Sequence, residues 1–162
     1  MDRERGHEDS GHLQLRAWLR LLTCANLIEA RVRNGLRETW NITLPRFDVL
    51  SQLHRAGEDG LTMGELSRAM MVSAGNVTGL IDALAGEGLV KRATSAADRR
   101  QSRVRLSPTG RKEFEAMLPE HERWIDEAFA NLDPADLKRL LDLLAKLKRS
   151  AGAARNAKKA AA

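Results

Sequence analysis

Residues 62–106 restrict the fold more than any other stretch of this chain. Thr62-Met63-Gly64-Glu65 is a capping box: the threonine hydroxyl accepts from the amide three residues on, and Glu65 reaches back. A short helix follows, with Leu66, Ala69 and Met70 expected inward. Val72 and Ser73 break it, and Ser73 suits the N-cap of another helix with Val77, Leu80, Ile81 and Leu84 on one face. Gly86 and Gly88 end that helix. Two short helices joined by a tight turn form a helix-turn-helix. Val104 and Leu106 then alternate with Arg103 and Arg105, which is a strand pattern. Paired with Leu89–Arg92, it makes a hairpin with residues 95–100 at its tip, and a helix-turn-helix followed by a hairpin is a winged helix.

The flanks read as helices. Trp18, Leu21, Leu22, Ala25, Ile28, Val32, Leu36 and Trp40 recur at spacings of three and four, predicting one long helix over 13–40. After the break at Asn41–Thr43, Pro45 sits in the first turn of a second helix that carries Phe47, Val49, Leu50 and Leu53 and ends near Ala56. Gly57-Glu58-Asp59-Gly60 is a turn. Ser107-Pro108 opens a helix to about residue 130, and Asp133-Pro134 opens the last, with Leu137, Leu140, Leu141, Leu144 and Leu147 as its stripe. The Ala/Lys-rich tail from Ser150 is expected to fray. These stripes, with Leu118, Ile125, Phe129 and Leu132, exceed what one small winged-helix core buries, and a surplus stripe usually meets a partner.

Charge has a direction along the chain. The 162 residues carry a net +5, but residues 89–112 hold eight cations against Asp98 alone, a local +7. The tail from Lys148 adds another +5, leaving −7 on the rest. A dense basic segment on an acidic body binds phosphates through steering and counterion release. One cysteine, Cys24, rules out an internal disulfide. The charged first twelve residues lack the apolar region of a signal peptide, and no apolar run reaches membrane-spanning length, so a cytoplasmic protein with no membrane partner is expected.

The element order and one run of residues resemble the MarR family of winged-helix transcriptional regulators. The run is Asp98-Arg99-Arg100-Gln101-Ser102-Arg103-Val104-Arg105-Leu106-Ser107-Pro108-Thr109-Gly110. It is similar to the family's wing signature, an Asp-x-Arg tip, an alternating strand and Leu-Thr-x-x-Gly, with Ser107 in place of the usual threonine. Leu44–Leu50 is similar to the opening of the family's second helix, although a glutamine often precedes the aromatic. The resemblance covers roughly residues 13–149.

The resemblance implies a mainly α fold with a small β-hairpin wing: a winged helix-turn-helix at 43–107 flanked by dimerisation helices at 13–42 and 108–149. A flexible N-terminus at 1–12 and a flexible basic tail at 150–162 complete the chain. It implies a homodimer on double-stranded DNA, an inverted-repeat operator with half-sites about one turn apart, and repression as the outcome. Helix 73–87 would enter the major groove, Ala74, Gly75 and Gly79 allowing close approach and Ser73, Asn76 and Thr78 offering hydrogen bonds. Arg100 would enter the minor groove from the wing 90–106, Asp98 would hold the tip, and Arg99 and Arg103 would meet phosphates.

The family couples DNA binding to small effectors, often aromatic acids, in a cleft between the dimer helices and the winged helix. Trp18, Arg20, Thr23, Asn26, Arg46 and Phe47 are the candidate lining, with core packing as the competing role of Trp18 and Phe47. Leu44–Arg46 and Met70–Thr78 resemble the branch that controls aromatic-acid degradation, some members of which answer to aryl-CoA thioesters. Two alternatives stay open. One is an architectural DNA-binding protein without effector; the other is a Cys24-based redox-sensing repressor, although the tyrosines of that branch are missing and Cys24 falls among Leu21, Leu22 and Ala25. No metal-ligand spacing, nucleotide loop or catalytic motif occurs, so no enzyme, metal or cofactor is expected.

Overall fold

The computed structural model describes residues 5–94 and 102–160. In chain order they form α1 (Arg5–Trp40), α2 (Leu44–Ala56), β1 (Leu61–Thr62), α3 (Met63–Met70), α4 (Ala74–Gly86), β2 (Val90–Thr94), β3 (Ser102–Leu106), α5 (Pro108–Phe129) and α6 (Pro134–Ala160). The chain divides into two units, Met1–Ile125 and Asp126–Ala162, with the boundary inside α5.

The first unit is the winged helix with α1 and most of α5. Its core gathers Val32 and Leu36 of α1, Phe47, Leu50 and Leu53 of α2, Leu66 of α3, Ile81 and Leu84 of α4, Val104 of β3, and Phe114 and Trp124 of α5. Fully burying a leucine contributes about 1.5–3 kcal/mol, so truncating Leu50 at this centre costs more than any surface change. A Cβ on Gly35 would lie 2.5 Å from the Trp124 ring, so α1 and α5 meet there only through the missing side chain.

The capping box forms as the sequence predicts. Thr62 Oγ1 accepts from the Glu65 amide at 3.2 Å, and the Thr62 amide donates to Glu65 Oε2 at 2.7 Å. The Thr62 amide, and the Thr62 hydroxyl donating to the same Oε2 at 3.0 Å, hold the Glu65 carboxyl below its usual pKa, with Arg103 and Arg68 adding to the effect. Ala69 is exposed rather than inward. An eight-residue helix has only about two turns, and Leu66 with Met63 and Met70 fills its inner side. α3 ends on Met71 in the left-handed conformation, φ 55°, with its side chain 86% exposed.

The sheet has three strands in the order β1-β3-β2, all antiparallel. The sequence reading finds only the hairpin; β1 is two residues long and shows no alternation to read. Val104 and Leu106 are buried and Arg105 is exposed, as the alternation predicts. The wing tip and its Asp98, Arg99 and Arg100 lie outside the described residues.

Two helices run further than the sequence reading places them. α1 begins at Arg5 rather than near residue 13. α6 continues to Ala160, across residues 150–160 where a flexible tail is expected. Alanine, lysine and arginine are strong helix formers, so a helix already started continues through them.

In the second unit, α6 is capped by Asp133, whose Oδ1 accepts from the amides of Ala135 at 2.7 Å and Asp136 at 2.8 Å. Leu141, Leu143, Leu144 and Leu147 are exposed in the single chain. Among the described residues no single helix is long and apolar enough to cross a membrane.

Candidate nucleic-acid interface

α4 presents two different sides. Val77, Ile81 and Leu84 face the core with no exposed surface. At roughly 100° per residue, Gly75, Gly79, Ala83 and Gly86 fall on the opposite side, and all four are exposed. A Cβ on Gly75, Gly79 or Gly86 would meet nothing within 4 Å. The outer side is therefore a shallow trough of small residues, with Asp82 at the edge beside Thr78, and no contact inside the protein requires its glycines. Each interior glycine costs the helix about 1 kcal/mol relative to alanine, so the trough works against stability.

Asn76 and Thr78 flank this trough on either side, both exposed. Ser73 is the N-cap, its hydroxyl accepting from the Asn76 amide at 3.4 Å. That bond orders the first turn and leaves Asn76 at its outer edge.

The wing is fastened to this helix by a pair that the sequence reading does not find. Arg92 of β2 donates to Asp82 of α4 at 2.5 Å. The two lie ten residues apart across a helix end and a glycine turn, so no local periodicity links them. Arg103 is also engaged: its Nε donates to the Asp59 carbonyl at 2.8 Å, its Nη2 to Gly60 at 3.1 Å, and Glu65 lies 3.6 Å away. It ties β3 to the turn before β1 and to the start of α3.

Further positioning comes from Ser107. Its hydroxyl donates to the Gly88 carbonyl at 2.6 Å and accepts from the Gly110 amide at 2.9 Å. This explains why a capping hydroxyl belongs between the wing and α5.

The six candidate effector residues do not converge in the single chain. Trp18, Arg20, Thr23 and Asn26 are exposed on the first half of α1, where Leu13, Leu15, Leu19, Leu22 and Leu27 are exposed too. The Thr23 hydroxyl donates to the Leu19 carbonyl at 2.9 Å. Between His12 and Trp40, Val32 is the first residue of α1 buried in the core, about 20 Å along the helix from Trp18. Phe47 is buried, with ring centroids 5.2 Å from Phe114 and 4.8 Å from His121. Arg46 is half-buried, pairs with Glu87 at the end of α4, and keeps a buried Nε without a partner. Cys24 is exposed in the single chain, because the apolar side on which it lies has no neighbour there.

These elements define a winged helix-turn-helix protein with long helices before and after the reader domain. A family model described as "MarR family" matches residues 40–101. YsmB of Bacillus subtilis, an uncharacterized HTH-type transcriptional regulator, is 30% identical over 129 residues, 75% of this chain and 87% of the relative. The transcriptional activatory protein BadR of Rhodopseudomonas palustris is 30% identical over 136 residues, 82% of this chain and 76% of its own. Among solved structures, Bordetella bronchiseptica BpsR superposes with a TM-score of 0.64 at 28% identity, over 85% of this chain and 91% of that one. That structure concerns regulation of BpsR DNA binding by 6-hydroxynicotinic acid. The chain belongs to the MarR family of winged-helix transcriptional regulators; it is a regulator and not an enzyme.

Proposed function

We propose that the protein is a cytoplasmic, homodimeric, ligand-responsive regulator that binds an inverted-repeat operator through helix 73–87 and wing 90–106. The observation that carries this reading is the exposed trough of α4, which lowers helix stability and has no role inside the protein. An empty outer side flanked by Asn76 and Thr78 suits a helix whose backbone lies close to base edges in a major groove. Arg100 enters the minor groove from the wing tip with Asp98 holding it, and Arg99 meets phosphate. Arg103, whose Nε and Nη2 bond the Asp59 and Gly60 carbonyls, meets phosphate with its remaining N–H groups.

The dimer is supported by apolar surface. Trp18 is 56% exposed and Leu141 67%, on helices that a lone chain leaves uncovered. A second copy would cover both, with residues 13–42 and 108–149 as the dimerisation helices.

Repression follows where a dimer covers a promoter; the relative BadR is named an activatory protein, and operator position decides the sign. The effector is a small aromatic acid or its aryl-CoA thioester, received beside Trp18, Arg20, Thr23, Asn26, Arg46 and Phe47 once two chains are together. The regulation of BpsR by 6-hydroxynicotinic acid supports an aromatic acid. Such a ligand releases DNA by favouring a spacing of the two wings that does not fit the operator.

The test is selection of binding sites from random and genomic DNA, followed by fluorescence polarisation at moderate salt. An inverted repeat with half-sites about one helical turn apart is expected, and Arg100→Ala should weaken binding to it. Uniform affinity for unrelated sequences, or an Arg100→Ala variant as tight as the parent, would overturn the reading. A thermal-shift panel of aromatic acids and their CoA esters tests the effector class, and no stabilisation by any member removes it.

A further inference from the structure

On the side of the wing hairpin turned away from α4 lies an open cavity of about 400 Å³. Four cations line it: Lys91 of β2, Arg105 of β3, and Arg111 and Lys112 of the first two turns of α5. Lys91 and Arg105 are register partners. Strand alternation places them opposite Arg92 and Val104, which reach Asp82 and the core. The cavity therefore faces neither the trough of α4 nor the pair that fastens the wing.

Its charges are not balanced. Two carboxylates share the lining, Glu58 and Glu115. Glu58 holds Arg111 at 3.0 Å and Arg105 at 3.8 Å, while Glu115 lies 3.3 Å from His54 Nε2. Lys91 and Lys112 make no ion pair among the described residues. Pro108 also lines the cavity, so the positive end of the 22-residue helix α5 opens onto the same space.

We propose that this cavity binds a small phosphate-bearing anion, with the forked guanidinium groups of Arg105 and Arg111 taking its oxygens and Lys91 and Lys112 neutralising the remaining charge. Four cations against the carboxylates of Glu58 and Glu115 leave a net charge of two, which favours a phosphate or diphosphate over a monocarboxylate. Because the walls come from both hairpin strands and α5, a bound anion bridges the wing to α5. The proposal goes beyond the DNA reading and does not depend on it.

The experiment is calorimetric titration of the full chain with pyrophosphate, ADP, adenosine and acetate at constant ionic strength. Saturable binding of pyrophosphate and ADP, and none of adenosine or acetate, is expected. Binding of ADP without pyrophosphate would mean recognition of the nucleoside and would overturn the proposal. The double variant Lys91→Gln/Lys112→Gln, which changes only exposed side chains, should bind pyrophosphate at least about tenfold more weakly while keeping the parent's melting temperature. Glu58→Gln removes the competing carboxylate and should tighten binding several-fold. No saturable heat with the parent, or equal affinity in the double variant, refutes the site. If the double variant loses DNA affinity while the parent ignores pyrophosphate, the four cations belong to the DNA interface and the proposal falls.

Discussion

Gly79→Ala separates the stability of α4 from its function. Gly79 lies inside a 13-residue helix, is exposed, and has open space where a Cβ would sit. Alanine there loses no contact and restricts the unfolded chain, so stability should rise by about 0.8–1 kcal/mol. The same methyl projects into the trough that the proposed function fills with DNA. Forcing an extra methyl into a packed interface costs about 1–3 kcal/mol, or roughly 5- to 150-fold in affinity. The two effects have opposite signs, so misfolding cannot mimic the result. Denaturant unfolding gives the first quantity, and fluorescence polarisation on the selected operator at fixed salt gives the second. Gly152→Ala in α6, also in open space, serves as the control: a small gain in stability and unchanged DNA binding. A Gly79→Ala protein that is more stable and still binds its operator within twofold of the parent would refute the close-approach argument.

Three other substitutions probe the frame around this helix. Gly110→Ala should destabilise by at least about 2–3 kcal/mol, because its Cβ would lie 1.9 Å from the Leu89 carbonyl oxygen and the bonds of Ser107 would part as α5 moved away; a melting curve matching the parent would disprove this. Met71→Gly relieves a left-handed residue at φ 55° whose side chain touches little, and should add about 1 kcal/mol, read as an increase in denaturant midpoint. Burial against Phe47 lowers the pKa of His121 from 6.5, with Asp48 and Glu122 opposing. A depressed imidazole means that the unfolded chain binds more protons just below pH 6.5, so stability falls as pH drops through that value and levels off below the folded pKa. His121→Phe should flatten that slope in thermal melts across pH 5–8, and an unchanged slope would assign it to another group.

The reader domain was legible because its signals are local. A capping box spans four residues, a helix repeats every three or four, and a strand alternates every two; Thr62–Glu65, Val77–Leu84 and Arg103–Leu106 satisfy these rules within short windows. Strand β1 was not legible, since two residues carry no period and its existence depends on Val104 and Arg103 arriving from forty residues away. Ala69 fails for a related reason: helical periodicity marks a side but cannot say how wide a neighbour covers it.

Sequence by itself determined the class of fold, the orientation of charge along the chain and the capping residues that start α3, α4 and α6. All three rest on interactions between near neighbours or on composition. Tertiary structure decided which charges are spent and which remain. Arg92 and Arg103 look alike in a basic run, yet one is consumed by Asp82 and the other by the carbonyls of Asp59 and Gly60. Lys91 and Arg105 lie on the hairpin face opposite Arg92, the face that also carries Arg103, and line a cavity with residues of α5. The alternation of a strand sorts its side chains into two faces; only the tertiary fold sets one face against Asp82 and the core and opens the other onto a cavity bounded by the start of α5.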